Sequence, residues 1–86
     1  MNAISYGKLL SITPERLERA LFNDGFQFSR QRGSHRRYKH HDGRRVTIPF
    51  GRKTLKIGTL ESIIDRQARW TEEDLIRLGL IKKKAA

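Results

Sequence analysis

The sequence predicts a small α+β domain: a helix, a three-stranded antiparallel sheet and a second helix, followed by a short extra C-terminal helix. Three observations carry this reading. Apolar residues recur at helical spacing on both sides of a central stretch that alternates like strands. Glycine-bearing turns at Arg32-Gly33 and His41-Asp42-Gly43 divide that stretch into three. The length, 86 residues, allows one domain around one core. The core is expected over about 6–79 of a single domain spanning 1–86, with 80–86 a flexible basic tail. The chain has no cysteine, which excludes a disulfide framework, a thiolate nucleophile and a cysteine-ligated zinc.

Thr13-Pro14-Glu15 is a helix start, with Thr as the cap, Pro in the first turn and an acid beside it. Leu17, Ala20 and Leu21 supply the apolar stripe, and Asn23-Asp24-Gly25 stops the helix, giving 14–24. Phe26 to Arg30 alternates and reads as the first strand, with Phe26 and Phe28 facing the core. Ser34 to His40 and Arg45 to Pro49 read as the second and third strands. A three-residue loop with Gly43 left-handed pairs His40 with Arg44, which buries Tyr38 beside Val46 and leaves Arg36 at the core margin beside Ile48. A slip by one residue would instead bury Arg37 and Lys39, so burial selects the first register. Gly58-Thr59 begins the second helix with Thr59 as cap, and Leu60, Ile63, Ile64, Gln67 and Ala68 follow at helical spacing. Trp70 closes that run, as core or as the cap of the helix junction. Thr71 to Asp74 forms a capping box in which Asp replaces the usual Glu, and the last helix ends at Gly79.

So small a sheet is covered on one face only, leaving the other open. The chosen register puts His35, Arg37, Lys39 and Thr47 on that open face. The charge falls in the same place. Residues 30 to 56 hold ten Lys or Arg and one acid, Asp42, whereas 1–29 and 57–86 are nearly balanced. One basic block between balanced flanks indicates a face for a polyanion rather than mere solubility. There is no apolar run long enough for a membrane span or a signal peptide, so no membrane partner and a cytoplasmic location are expected.

All three histidines lie in the basic block. A histidine can take a proton from a ribose 2′-hydroxyl or give one to a leaving 5′-oxygen near neutral pH, and that route needs no metal and no cofactor. His35, on the open face, is the candidate for this chemistry; as a plain phosphate contact it would fit equally well. His40 and His41, adjacent in sequence, point to opposite faces if they continue the strand, which argues against a shared metal ion. Ser34 has no aspartate partner for a serine–histidine triad. Gly33 and Gly43 are turn glycines without phosphate-loop spacing.

These residues also form a specific pattern. Leu21 with Asp24-Gly25-Phe26 is followed by Arg30-Gln31-Arg32-Gly33-Ser34-His35, Tyr38-Lys39-His40 and Asp42 through Pro49. Leu55-Lys56-Ile57-Gly58-Thr59-Leu60 with Ile63 completes it. Over about 14–68 the chain resembles the HicA toxins, small mRNA interferases of HicA–HicB toxin–antitoxin systems. The resemblance implies a fold like that of double-stranded RNA-binding domains, matching the element order read above. It implies endoribonuclease activity on mRNA, His35 as the catalytic histidine and a HicB-type antitoxin that blocks the RNA-binding face. Arg37, Lys39, Arg52, Lys53 and Lys56 are the expected phosphate-holding residues. The chain departs from the pattern after Pro49, where Phe50-Gly51-Arg52 stands and family members often carry a histidine. The alternative is a non-catalytic RNA-binding module that uses the same basic face, and a third use of that face is docking an acidic protein.

Overall fold

Helix α1 (Pro14–Asn23) starts where Thr13 accepts the backbone N–H of Arg16 at 3.1 Å. It is the first main element of the computed structural model, which describes Ile4 and residues 6–82. A single turn of tighter helix, Tyr6–Leu9, precedes it. α1 buries Leu17, Ala20 and Leu21. Its end is set by Gly25, at φ 96°, with the Phe26 N–H returning to the Leu21 carbonyl and the Gly25 N–H to that of Phe22. This pair of bonds closes a helix only when the residue after the cap is left-handed. A Cβ at Gly25 would also stand 3.0 Å from Nε2 of His40, so both backbone and packing require glycine here.

Strands β1 (Gln27–Arg32), β2 (His35–Lys39) and β3 (Arg45–Pro49) form an antiparallel sheet in the order β1-β2-β3. The β2–β3 register is the expected one: Tyr38 stands opposite Val46 and Arg36 opposite Ile48. The His40 N–H bonds the Arg44 carbonyl at 2.9 Å, and Gly43 takes φ 100°. Tyr38, Val46 and Ile48 are fully buried against the helices. The tyrosine hydroxyl donates to Glu18 of α1; burial, then that carboxylate, push its pKa well up. Arg36 does reach out from the core margin: its guanidinium lies between the rings of Phe28 and Phe50 and pairs with Glu18 at 3.0 Å.

The first strand departs from expectation. It begins one residue later and ends two later than read, and only Phe26 is buried; Phe28 remains 43% exposed. Phe28 does lie on the helix side, opposite Tyr38, but on an edge strand, where its ring stays partly open to solvent. A bulge between Phe28 and Arg30 then adds one residue to β1.

Helix α2 (Ile57–Glu61) runs on into a π-helical segment, Ser62–Gln67. The expected cap at Thr59 is not found. Lys56 takes the cap position with extended backbone, because Leu55 just before it is pinned in the core, and Thr59 falls inside the first turn. In the π-helical segment the Ala68 N–H reaches the Ile63 carbonyl at 2.8 Å. The wider turn lets Ile63, Ile64 and Ala68 all bury fully. Arg69 follows at φ 55°, a left-handed residue with a Cβ. Helix α3 (Glu72–Arg77) opens on the expected capping box between Thr71 and Asp74. Leu80 and Ile81 are half-buried against the core, and the expected tail lies for residues 83–86 outside the described residues.

One carboxylate joins these pieces. Asp24, at the end of α1, accepts from Trp70 Nε1 at 2.8 Å and from Arg77 of α3 at 2.8 Å, and pairs with Arg44 of the hairpin at 3.1 Å. Its carbonyl oxygen also meets Nε2 of His40 at 2.8 Å. Burial alone would raise the carboxyl pKa, but the bonds from Trp70 and Arg77 and the charge of Arg44 outweigh it, and the pKa is lowered.

A carboxyl held below its unfolded value, about 3.9, contributes stability at neutral pH that is lost as pH falls through the folded value. Asp24→Asn is therefore expected to cost about 2 kcal/mol at pH 7 and to lose less further stability than wild type between pH 7 and pH 3. Urea unfolding at both pH values checks this. Arg69→Gly removes a left-handed side-chain penalty and is expected to stabilise by about 1 kcal/mol in the same assay.

Candidate nucleic-acid interface

The face of the sheet turned away from the helices is rich in basic residues. Along β2 the alternation sends His35, Arg37 and Lys39 to this side, all exposed. Their β3 partners are Pro49, Thr47 and Arg45. On β1 the bulge decides what joins them. An unbroken strand would set Arg30 opposite Arg36, on the helix side. The extra residue instead sets Arg30 opposite Arg37 and Arg32 opposite His35. Arg30, Arg32 and Arg45 thus join the open face, a placement that sequence reasoning missed. Arg45 was readable from the hairpin register, since it pairs with Lys39. Arg30 and Arg32 depend on the bulge, which leaves no signal in an alternating run.

His35 opens onto a hollow of about 420 Å³ that it shares with Thr47, Arg52, Lys56, Thr59 and Gln67. The basic loop is brought there at both ends. The Phe50 N–H donates to the Ser34 carbonyl at 2.6 Å, and buried Leu55 anchors the far side. Gln67 comes from the π-helical segment. Its Oε1 accepts the outward-facing N–H of Thr47 at 2.8 Å, while its Nε2 donates to Ser62 Oγ at 3.1 Å. This satisfies a backbone donor on the sheet's free edge and fixes one wall of the hollow. A second hollow of about 390 Å³ adjoins the first across Thr47 and is lined by Ser29, Arg30, Arg37 and Arg45.

Of the residues expected to bind phosphate, Arg52 and Lys56 stand with His35, and Arg37 lies in the adjoining hollow. Lys39 is at the opposite end of β2, beside His40 and His41. Lys53 is exposed on the loop but does not line the hollow around His35.

The other histidines do different work. His40 is half-buried against Phe26, with its Nε2 on the Asp24 carbonyl and its Nδ1 3.1 Å from the Asp42 backbone nitrogen. The same Nδ1 also lies 3.0 Å from Oδ1 of Asp42. His41 stacks on His40 with ring centres 4.5 Å apart. The two rings share a side, contrary to the expected alternation, because β2 has ended at Lys39. Five residues of strand separate His40 from His35, about 16 Å, so His40 is no partner in chemistry at His35.

Charges are sorted between the two faces. On the helix side Arg36, Arg44 and Arg77 each pair with a carboxylate. On the open side Arg30, Arg32, Arg37 and Arg45 make no ion pair among the described residues. Among the described residues, no helix is long and apolar enough to cross a membrane.

Residues 14–70 match the family model described as HicA toxin of bacterial toxin-antitoxin. The chain belongs to the HicA toxin family. The family match takes in α1, the whole sheet, the basic loop and α2 through Trp70, so every residue of both hollows lies inside it. A search of the curated proteins returns no match. Helix α3 lies beyond the HicA match, yet it supplies Arg77 to Asp24 and buried Leu75 to the core.

Because His40 is bound into the fold and His35 is not, the two alanine variants should separate. His40→Ala is expected to lose about 2 kcal/mol in urea unfolding, and His35→Ala to stay within about 0.5 kcal/mol of wild type. The reverse order would contradict the assignment of His40 as structural.

Proposed function

We propose that this HicA protein is an endoribonuclease that cuts single-stranded mRNA, with His35 as the proton-transfer group. One observation supports this above the others: an exposed histidine shares a hollow with Arg52 and Lys56 on a face whose arginines have no acidic partner among the described residues. In this reading the ribose 2′-oxygen attacks the adjacent phosphorus. The P–O2′ bond forms and the P–O5′ bond breaks. His35 takes the 2′-hydroxyl proton and returns it to the departing 5′-oxygen, giving a 2′,3′-cyclic phosphate and a 5′-hydroxyl. Imidazole suits both transfers because its ordinary pKa, about 6.5, lies close to neutral pH. Arg52 and Lys56 neutralise the charge that builds on the non-bridging oxygens. Arg37, Lys39 and Lys53 hold flanking phosphates and set the strand's position. Every proton and charge is handled by side chains, so the route calls for no metal and no cofactor.

The partner in this reading is a HicB-type antitoxin whose acidic surface covers the same face and so denies it to RNA. The site of action is the cytoplasm, where the mRNA is, and 1–86 acts as a single domain. A second reading, an RNA-binding module without cleavage, is favoured by one fact: His40 is spent on the fold, so His35 has no histidine partner.

His35→Ala is expected to slow cleavage of a single-stranded RNA by about 10²- to 10⁴-fold while still binding it, and wild-type cleavage is expected to persist in EDTA. Full activity in the folded variant would overturn the role of His35. Binding without cleavage by wild type, freed of any antitoxin, would establish the second reading.

A further inference from the structure

The bulge in β1 builds something that the chemistry at His35 does not use. Regular alternation would put Arg30 among the helix-side residues. The extra residue returns it to the open face, directly opposite Arg37. Arg45 stands diagonally across from Arg37, since Arg37 pairs with Thr47. Directly opposed side chains on a sheet have Cβ atoms about 5 Å apart and diagonal ones about 7–8 Å. All three arginines line one hollow of about 390 Å³, together with Ser29 and Thr47. Like charges so close oppose folding. None of the three has a carboxylate partner among the described residues, although Arg36 and Arg44, their neighbours in sequence, both do. Repulsion left unrelieved by the protein marks a place where an anion from outside relieves it.

We propose that Arg30, Arg37 and Arg45 form a second phosphate subsite, which holds the phosphate next along the strand from the one at His35. This rests on the RNA-cleaving reading above and adds to it the path of the substrate. His35 and Arg37 lie two residues apart on one face of β2, about 6.6 Å. That is of the order of the step between successive phosphates of an extended single strand. The two hollows meet at Thr47, so an RNA backbone can run along β2 from one to the other without leaving the surface. Planar guanidinium groups grip phosphate oxygens in pairs, which fixes the strand's register as well as its affinity. The scissile phosphate is then defined by its neighbour: the bulge sets which bond reaches His35.

The test uses the His35→Ala protein, which keeps the RNA intact, and a single-stranded RNA 12-mer, with affinity followed by fluorescence anisotropy across a salt series. Adding Arg30→Ala and Arg45→Ala is expected to weaken binding at least tenfold and to flatten the slope of log affinity against log salt by about 1.4, the release expected from two single-strand phosphate contacts. Arg30→Lys with Arg45→Lys keeps the charges and is expected to restore most of the slope but only part of the affinity. Arg19→Ala with Arg66→Ala removes the same charge from exposed positions outside the sheet and serves as the control. Equal loss in the control pair, or an unchanged slope in the Arg30/Arg45 pair, would overturn the subsite. Cleavage of the same 12-mer by the protein with His35 intact reads the parent proposal separately, so a failed subsite and a failed nuclease give different results.

Discussion

The half-buried carboxylate of Asp24 is the interaction on which the rest of the fold depends. It closes α1, receives the indole of Trp70, anchors α3 through Arg77 and draws in Arg44 from the hairpin, while its carbonyl oxygen holds the ring of His40. His40 and Arg44 are the residues that close the three-residue loop between β2 and β3. By gripping both, Asp24 fixes the hairpin at its loop end, and a strand fixed at one end has no freedom to slip by one residue. A slip would reverse which of Arg36 and Arg37 faces the core. The same arrangement assigns the scarce acids. Glu18 and Asp24 serve the arginines on the helix side, and Arg30, Arg32, Arg37 and Arg45 on the far side are left without ion pairs among the described residues.

Much of this could be read from the chain alone. The helix start at Thr13-Pro14, the left-handed Gly25 and Gly43 and the capping box at Thr71–Asp74 each rest on local chemistry that tertiary packing had no reason to override. The hairpin register followed from burial, because only one pairing hides Tyr38 without hiding Arg37 and Lys39. What could not be read has a common cause. The bulge at Ser29, the π-helical turn at Ser62–Gln67 and the cap at Lys56 are adjustments by which one element fits another, and none has a residue signature of its own. Phe28 was misplaced for a related reason: alternation gives a residue's side of the sheet, but whether a helix covers that side depends on the strand's position, and β1 is an edge. His35 with Arg52 and Lys56 was legible as a set of residue types; that one hollow holds all three was not.

Membership of the HicA toxin family and the sorting of charge describe one surface from two directions. In the proposed reading a toxin must act on its target and be restrained by its antitoxin, and one basic face without ion pairs among the described residues would meet both needs, with RNA and an acidic protein competing for the same guanidinium groups. The helix side carries the stability. The open side gathers like charges, and in the proposed reading a bound polyanion relieves their repulsion, which would link ligand binding to folding there.

The central claim is that RNA lies on the open face along β2, between the two hollows. Mapping backbone amide shifts by NMR on titration with a fully 2′-O-methylated RNA strand, which offers no 2′-hydroxyl to attack, tests it directly. The account predicts that the largest changes cluster at residues 29–32, 35–39, 45–47 and 52–56, with α1 and α3 nearly silent. Changes centred on the helix side, or spread evenly over all basic residues, would contradict it.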